Sequence, residues 1–244
     1  MRIFYSIYET IIEALFPLSA TEKELFSYST ENIYSILQKA PPYSGLAVPL
    51  PEAHSIFAYK DKRVEQFIWN IKYKKSAQAI KMGSFVLFQY IREVSTHKND
   101  PNSVVLILPI PITLRRRHER GYNQCELLTD DMKKLFNKEH AHDQDNICNI
   151  IFENNLLIRT HHDSRHTLKG RADRIESAKG IFGINEARLK MLDVGFKNNE
   201  KQNTGNVHVV IIDDVITTGS TMREAIDTMK HAGFQNVHAL SLAH

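Results

Sequence analysis

Residues 207–221 restrict the fold of this chain more than any other stretch of its sequence. Residues 207–212 are almost all apolar and β-branched, a composition typical of a strand that is buried on both faces of a parallel sheet. Asp213 and Asp214 follow where that strand is expected to leave the core, and the turn Thr-Thr-Gly-Ser-Thr comes soon after them. The stretch therefore predicts a strand, an acidic pair and a hydroxyl-rich turn, in that order.

A helix is predicted to begin within this turn. Thr221 and Glu224 have the spacing of a capping box, in which the two side chains bind backbone N–H groups of the first turn. The residues that follow form an apolar stripe at helical spacing: Met222, Ala225, Ile226 and Met229. Gly233 then provides a stop signal. A strand, a tight turn and a helix in succession indicate a parallel α/β sheet.

The turn and the acidic pair together suit a ligand that carries both a phosphate and sugar hydroxyls. Free backbone N–H groups at a helix N-terminus attract an anion, and hydroxyl side chains can donate to the same anion. We expect the phosphate to be held by Thr217, Thr218, Gly219, Ser220 and Thr221. Asp213 and Asp214 would repel a phosphate, but they can accept hydrogen bonds from a ribose. The alternative, a capped turn with solvent-facing acids, leaves two adjacent acids unexplained at the strand end where open α/β sheets bind ligands.

This stretch resembles the phosphoribosyl-pyrophosphate (PRPP) motif of type I phosphoribosyltransferases. A second stretch is similar to a signature of the ComF family, which are phosphoribosyltransferase-like proteins linked to natural competence and DNA uptake. Its residues are Pro109-Ile110-Pro111 and, further on, Arg117, Glu119, Arg120, Gly121, Tyr122, Asn123 and Gln124. Two further sets of residues agree with that family, namely residues 165–174 and Tyr59, Lys72 and Tyr73. The resemblance covers about residues 56–244.

The resemblance implies an α/β, type I phosphoribosyltransferase-like fold, in which helices flank a central, mainly parallel sheet and a largely helical segment precedes it. We divide the chain into an N-terminal helical or irregular segment, 1–55, and a phosphoribosyltransferase-like α/β domain, 56–244. Hydrophobic periodicity predicts helices at residues 3–16, within 30–39, and at 64–73, 77–94, 127–135 and 175–178. It predicts further strands at residues 56–59, 104–108, 155–158, 181–182 and 237–242.

A cluster of arginines follows the predicted strand at residues 104–108, and consists of Arg115, Arg116, Arg117 and Arg120. We predict a loop whose guanidinium groups face pyrophosphate, because the planar fork of arginine matches phosphate oxygens. A solvated surface loop is the alternative. If the protein handles DNA, we expect the same arginines to contact single-stranded DNA through its phosphates.

The polar and basic stretch 159–174 is predicted to act as a mobile lid over the PRPP site. It joins two apolar segments, and Leu168 is its only aliphatic side chain larger than alanine, so it has little to anchor it on a core. We expect a bound pyrophosphate to attract its cations, among them Arg165, Lys169 and Arg171. A plain exposed connection is the alternative.

The composition is that of an ordinary globular chain, and its formal net charge of +3 argues neither for nor against nucleic acid. Cys125 and Cys148 match no metal spacing, so we predict reduced thiols in a cytoplasmic protein that has no structural zinc. Residues 19–34 contain no cysteine, and we therefore expect the N-terminal zinc module of many ComF proteins to be absent. The histidines are interpreted as surface residues. No segment predicts membrane insertion or a secretory signal.

The resemblance implies an enzyme that depends on Mg²⁺ and PRPP, or a descendant that still binds PRPP. It implies that Asp213 and Asp214 accept the ribose hydroxyls, which makes them the catalytic candidates, and that Mg²⁺ is held mainly by PRPP itself. Catalysis would be mainly electrostatic, through stabilisation of the departing pyrophosphate. The alternative is a non-catalytic module of a DNA-uptake machinery that binds PRPP or single-stranded DNA and has a DNA-uptake helicase as its partner. The acceptor and the oligomeric state do not follow from the sequence.

Overall fold

The computed structural model describes residues 18–41, 50–94, 103–139, 149–160, 180–192 and 206–244. The strands within these residues are β1 (Ala53–Phe57), β2 (Val104–Pro109), β3 (Asn149–Phe152), β4 (Leu157–Arg159), β5 (Phe182–Ile184), β6 (Val207–Val215) and β7 (Asn236–Ala243). The α-helices are α1 (Ala20–Ser27), α2 (Ile33–Ile36), α3 (Lys62–Trp69), α4 (Ala77–Val94), α5 (Leu114–Arg120), α6 (Gln124–Glu139), α7 (Glu186–Met191) and α8 (Ser220–His231). A π-helical turn, Asn70–Lys74, continues α3 toward α4.

Five of the strands form one sheet, in which every pair of neighbours is parallel. Its order is β1-β7-β6-β2-β3, which places β6 at the centre. β4 and β5 pair with each other in a separate, antiparallel sheet of two strands. Parallel strands need long crossover connections, and helices supply them here. The fold is therefore the expected α/β fold of the type I phosphoribosyltransferase kind.

The central sheet is covered on both faces, and successive residues of β2 show how. Val105 and Ile107 belong to the apolar cluster that α3, α4 and α6 complete. Leu106 and Leu108 belong to a second cluster, which α8 and the β4–β5 sheet complete. Alternate side chains of a strand point to opposite faces, so both clusters need apolar residues from each central strand. The apolar run at residues 207–212 of β6 has the same cause.

Several elements lie where the sequence predicted them. α4 spans the predicted residues 77–94, while β2 extends its predicted strand by one residue at one end and β7 by one residue at each end. The described part of the N-terminal segment contains the helices α1 and α2. The helices predicted at 3–16 and 175–178 lie outside the described residues. Among the described helices, none has the length and apolar character that crossing a membrane requires.

Two strand assignments need correction. The strand expected at residues 155–158 is β4, which lies outside the parallel sheet and pairs only within the small antiparallel one. The parallel sheet uses β3 as its edge instead, where it pairs with β2. The sequence did not reveal β3, because its four residues are too few to establish an alternating pattern.

The prediction of a loop at residues 115–120 is wrong, because these residues form α5. Thr113 caps the helix by accepting a hydrogen bond of 3.1 Å from the N–H of Arg116, and Gly121 ends it in the left-handed conformation at φ 77°. Arginine is a good helix former. Every residue of α5 is exposed or half-buried, so no apolar stripe indicated the helix.

A buried carboxylate ties the N-terminal segment to the α/β domain. Ser19 and Glu22 form a capping box at the start of α1. Glu22 is 3% exposed and accepts hydrogen bonds from Asn70 Nδ2 at 2.9 Å and Lys74 Nζ at 2.6 Å. Both partners lie in the π-helical turn. β1 contains residues on both sides of the boundary placed between 55 and 56, and the division into two domains stays a prediction.

Candidate functional site

The carboxyl ends of β2 and β6 open into a cleft of about 360 Å³. Six described parts of the chain line it, namely the end of β6 with the turn into α8, the segment from the end of β2 into α5, the start of α6, the π-helical turn, the end of β4, and Tyr59 after β1. The carboxyl ends of parallel strands meet at one edge of a sheet, which is where such folds bind ligands. The structure brings Asp213, Asp214 and residues 217–221 together along this cleft.

The turn into α8 presents an open helix N-terminus to the cleft. Gly219 is the N-cap residue and adopts the left-handed conformation at φ 76°, which favours glycine. Its position leaves the first N–H groups of α8 without a side-chain cap. The hydroxyl groups of Thr218 and Ser220 lie 3.0 Å apart and can both turn toward a ligand. Backbone N–H groups and hydroxyls therefore converge on one point, as an anion requires.

The predicted capping box at Thr221 and Glu224 is absent, because α8 begins at Ser220, two residues earlier than an N-cap at Thr221 would require. Glu224 instead accepts a hydrogen bond from the backbone N–H of Gly180, next to β5. A second difference concerns the acidic pair, which was expected beyond the end of the strand. Asp213 and Asp214 lie within β6, where Asp213 is paired in register with Ser241 of β7. The sheet therefore holds the backbone of both acids in place.

The two acids of the pair have different surroundings. Asp214 is 3% exposed, and its Oδ1 lies 3.2 Å from Nζ of Lys72. Its Oδ2 is buried and has no hydrogen-bond partner among the described residues. Asp213 is half-buried, and its Oδ1 accepts hydrogen bonds from the N–H of Asp214 at 2.8 Å and from Sγ of Cys125 at 3.6 Å.

These contacts determine the charge of the site. Burial raises the pKa of Asp213 to about 7, and the neighbouring charge of Asp214 contributes to the rise, while Lys72 opposes it. Burial acts to lower the pKa of Lys72, but the charges of Asp214 and Asp213 outweigh it and the pKa is raised. Burial, with the two carboxylates, raises the pKa of Cys125 well above the ordinary value, so this residue is a neutral thiol. Near neutral pH the pair therefore holds a proton for part of the time.

The arginines of α5 occupy two environments. Arg116 and Arg120 line the cleft. Arg115 is paired with Glu119 at 2.7 Å and does not line it. Arg117 is paired with Glu126 of α6 and does not line it either. Residues four apart share a face of a helix, so the helical conformation of α5 selects Arg116 and Arg120 together.

Arg120 is held in a fixed position beside the cleft. Its Nη1 donates a hydrogen bond of 2.9 Å to Oε1 of Gln124, and its guanidinium group lies 5.1 Å from the ring centroid of Tyr73. An arginine over an aromatic ring is stabilised by the negative face of that ring. The remaining N–H groups of Arg120 are thus oriented before a ligand arrives.

Sequence reasoning assigned no role at the cleft to Tyr59, Lys72, Tyr73 and Gln124, and it counted Arg159 only among the cations of the lid, but all five line the cleft. Tyr59, Lys72 and Tyr73 were noticed as points of family resemblance, but nothing local indicated that a lysine of the π-helical turn would contact Asp214. Arg159 begins the stretch that we interpreted as a lid. The signal for all of them is tertiary, since they come from four separate parts of the chain.

Some of the predicted residues lie outside the part that the structure describes. These are the lid residues Arg165, Lys169 and Arg171, together with Cys148. The lid stays a prediction. Among the described residues no three His, Cys, Asp or Glu side chains are grouped so that they could hold a metal ion.

Comparison with known proteins agrees with the geometry of the cleft. Residues 164–244, which include β6, the turn and α8, match the model of the phosphoribosyl transferase domain. Over 137 residues the chain is 27% identical to "Competence protein F" of Haemophilus influenzae, and the match covers 56% of this chain and 49% of that protein. These matches support a ComF-like protein of the phosphoribosyltransferase type.

A second relative of the ComF-like chain is "Bifunctional protein PyrR" of Leuconostoc citreum. The two are 33% identical over 81 residues, which are 29% of this chain and 46% of that protein. The ComF-like chain thus spans about half the length of the curated relatives it matches. Lys72 and the arginines of α5 lie outside the matched domain at residues 164–244, so part of the cleft comes from the preceding region of the chain.

Proposed function

We propose that this ComF-like protein binds PRPP with Mg²⁺ in the cleft and transfers, or once transferred, its phosphoribosyl group with release of pyrophosphate. The carrying observation is that the acidic pair of β6 and the open N-terminus of α8 line one cleft. A phosphate needs the N–H donors of the helix N-terminus, and a ribose needs the acceptor oxygens of the acidic pair. The matched phosphoribosyl transferase domain supports the same ligand.

The residues of the cleft suit the different parts of PRPP. The 5-phosphate would accept hydrogen bonds from the turn at residues 217–221. Asp213 and Asp214 would bind the ribose hydroxyls next to it, where a carboxylate is a strong acceptor. Arg116 and Arg120, which also line the cleft, would face the pyrophosphate.

Mg²⁺ fits this arrangement as a component of the ligand. Magnesium keeps several waters and is often bound through substrate phosphates with few protein ligands. The lining of the cleft includes the carboxylates Asp213 and Asp214 and the arginines Arg116 and Arg120. Mg²⁺ would be held mainly by oxygen atoms of PRPP, where it would neutralise charge on the departing pyrophosphate.

In the reaction that we propose, the bond between C1 of the ribose and the pyrophosphate oxygen breaks, and the pyrophosphate leaves with the electron pair. A nucleophilic atom of the acceptor then bonds to C1. The chain itself contributes orientation of the ribose through Asp213 and Asp214, and it contributes positive charge for the leaving group through Arg116 and Arg120. Electrostatic stabilisation of this type is usually the largest contribution that a site makes to catalysis.

Isothermal calorimetry with Mg²⁺ and PRPP tests the binding part of the proposal. The double variant Asp213→Asn with Asp214→Asn should bind at least about tenfold more weakly, because an amide is a weaker acceptor than a carboxylate. Asp227→Asn is the matched control, since Asp227 is an exposed acid on α8 outside the cleft. Equal affinities of the wild type and the double variant would contradict the proposal.

Pyrophosphate release tests whether the protein turns over. The wild type is incubated with Mg²⁺ and PRPP and with candidate acceptors, and free pyrophosphate is measured. Release that depends on one acceptor and is lost in the double variant would establish a phosphoribosyltransferase. Tight PRPP binding without release for any acceptor would leave a non-catalytic PRPP-binding protein.

A second candidate function is a binding module that serves competence and DNA uptake, as the name of the relative "Competence protein F" suggests. The exposed, arginine-rich surface of α5 favours it, and single-stranded DNA and a DNA-uptake helicase would be the partners. Binding through phosphates should weaken steeply as salt rises. Fluorescence anisotropy with labelled single strands measures this, and α5 variants with alanine for arginine that keep full affinity at low salt would exclude this surface.

A further inference from the structure

We propose that Lys72 is a positioning residue of the cleft: its ammonium group pairs with the buried Asp214 and leaves Asp213 as the acid of the pair that exchanges a proton. The inference rests on the proposed function, because it assigns different roles to the two acids that would hold the ribose. It concerns a residue that lies outside the matched phosphoribosyl transferase domain at residues 164–244.

The π-helical turn directs Lys72 into the cleft. Asn70 and Ile71 of this turn are buried in the core at 1% and 0% exposure, and the next residue, Lys72, lines the cleft. The turn ends at Lys75, which adopts the left-handed conformation at φ 50°, a conformation that disfavours every residue but glycine, asparagine and aspartate. Such π-helical turns interrupt regular helices and are frequent at functional sites. The irregular turn thus places one ammonium group over the end of β6.

The contact of Lys72 is with the more deeply buried acid. A buried carboxylate is strongly destabilising unless it has a partner of opposite charge. Lys72 supplies that partner 3.2 Å from Oδ1 of Asp214, and its own side chain is 20% exposed toward the cleft. The structure shows no ion pair of Asp213 with any described residue, although its Oδ1 accepts hydrogen bonds from the N–H of Asp214 and from Cys125. The two acids therefore differ in position, since Lys72 pairs with Asp214 and no described residue forms an ion pair with Asp213.

The titratable groups that face one another here are Asp213 and Asp214 of β6, Cys125 of α6, Lys72 of the π-helical turn, and Tyr59 after β1. Two adjacent carboxylates resist ionising together, so one proton is shared by the pair over a wide pH range. The raised pKa of Asp213, caused first by burial and then by Asp214, places that proton on Asp213. Cys125 contributes no charge, because burial keeps it a thiol.

Because the two acids differ, the pair can offer a hydrogen-bond donor as well as acceptors. Asp214 accepts from the ammonium group of Lys72, whereas Asp213 can donate a hydrogen bond when it is protonated and accept one when it is not. A sugar hydroxyl both donates and accepts, so the pair can satisfy two vicinal hydroxyls in different ways. Ligand binding should then change the fraction of Asp213 that is protonated, and the charge of Lys72 influences the size of that change.

Carbon-13 NMR of the aspartate carboxyl groups tests the inference without any ligand. The free wild type, Lys72→Met, Lys72→Arg and Lys75→Met are titrated, and Lys75 is the matched control because it contacts the ring of Tyr122 rather than the acids. Lys72→Met should raise the upper pKa of the pair by about one unit or more, which is a tenfold change in proton affinity. Lys72→Arg should restore the wild-type curve, and Lys75→Met should leave it unchanged. Identical curves for Lys72→Met and the wild type would overturn the inference.

Two further measurements keep the outcome decisive. Calorimetry of Mg²⁺–PRPP binding in buffers of different ionisation enthalpy counts the protons exchanged, and Lys72→Met should shift the pH at which that number changes.

If Lys72→Met does not fold, Asp214→Asn should lower the pKa of Asp213 in the free protein, since it removes the repelling charge. An unaltered pKa of Asp213 would overturn the inference. A wild type that shows the expected titration but no PRPP binding would reject the proposed function alone.

Discussion

Asp213 and Asp214 lie side by side on a central strand, where two negative charges raise the free energy of the folded chain. The ion pair of Lys72 with Asp214 offsets part of this effect. The raised pKa of Asp213 offsets another part, because Asp213 then holds a proton for part of the time near neutral pH. Acids that disturb each other in this way are concentrated at functional sites, because the ligand supplies the compensating interactions. The stability of the free protein and its affinity for a ligand should therefore respond in opposite directions to changes at this pair.

Asp213→Asn is expected to stabilise the free protein at and above neutral pH. The folded-state pKa of about 7 exceeds the ordinary value of 3.8. The unfolded chain releases this proton first, so the wild type loses stability as the pH rises from about 4 to about 7. The stability gain of the variant should therefore grow with pH and reach on the order of 4 kcal/mol, since each pKa unit corresponds to about 1.4 kcal/mol. Urea denaturation at pH 5 and pH 8 measures the gain, and a gain that is independent of pH would contradict the prediction.

Gly219→Ala should weaken both the fold and the ligand site. Its φ of 76° costs a residue with a Cβ atom about 1 kcal/mol in unfolding free energy, and relaxation of the strain would move the N–H groups that are expected to bind the phosphate. Gly121→Ala is the matched control, because Gly121 has φ 77° and a Cβ atom there would meet nothing within 4 Å. Both variants should lose similar stability, while PRPP affinity should fall only for Gly219→Ala; an equal affinity of the two variants would refute this.

At the scale of elements, α1 and the π-helical turn behave as one unit. Glu22 of α1 accepts hydrogen bonds from Asn70 and Lys74, at either end of the turn. Lys72, between them, reaches the acidic pair. A change in how α1 packs would therefore alter the position of the turn, and the N-terminal segment supports the cleft without lining it.

Glu22→Gln should destabilise the protein by about 1–3 kcal/mol at neutral pH, since it weakens a buried, hydrogen-bonded ion pair. Burial alone would raise the pKa of Glu22, but the hydrogen bonds, first of all that from Lys74, lower it to about 2. The stabilisation is therefore complete above the unfolded value of about 4.5 and is lost as the pH falls toward 2. Chemical denaturation measures the free energy of unfolding at pH 7 and pH 3. The difference in this free energy between the variant and the wild type should be smaller at pH 3.

Glu65→Gln provides the control for that experiment. Glu65 pairs with Lys62 on the surface of α3, where the side chains are 49% and 86% exposed. Exposed pairs contribute about 0–1 kcal/mol, so this variant should resemble the wild type at both pH values. A loss of stability as large as that of Glu22→Gln would mean that charge alone, rather than burial, explains the effect.

At the scale of the whole molecule, the cleft depends on the relative placement of elements that are distant in sequence. The end of β6, the start of α8, α5 and the π-helical turn all contribute to it. Their placement is fixed by the two apolar clusters on opposite faces of the sheet. A ligand that contacts all four parts binds the folded chain and not the unfolded one, so its binding energy adds to the stability of the whole fold.

Mg²⁺ with PRPP should therefore raise the Tm of the protein in a concentration-dependent manner. A free ligand concentration of about 100 times the Kd corresponds to an increase of about 2.7 kcal/mol in the free energy of unfolding. Differential scanning fluorimetry measures the shift, and inorganic pyrophosphate with Mg²⁺ should give a smaller one because it lacks the ribose. The Asp213→Asn, Asp214→Asn double variant should respond less to PRPP than the wild type does. Equal shifts in both proteins would show that the acids do not contact the ligand.

The sequence by itself determined the elements whose signals are local. The apolar run at residues 207–212, the acids after it and the glycine in the turn predicted β6 and the approach to α8, because burial on two faces and a tight turn restrict residue type at each position. It also indicated the α/β class. It failed for β3 and α5, which are short and lack an apolar period, so that the hydrogen bonds of β2 and the cap at Thr113 decided their conformation instead.

Only the tertiary structure decided how the cleft is assembled. Asp214 and Lys72 are far apart in the chain, and their contact depends on the π-helical turn and on the packing of α3 against the sheet. Arg116 and Arg120 line the cleft and Arg115 and Arg117 do not, because the helical conformation of α5 turns the two pairs toward different sides. Residue type sets what a side chain can bind, but the packing of elements sets which side chains meet, and no local pattern carries that information.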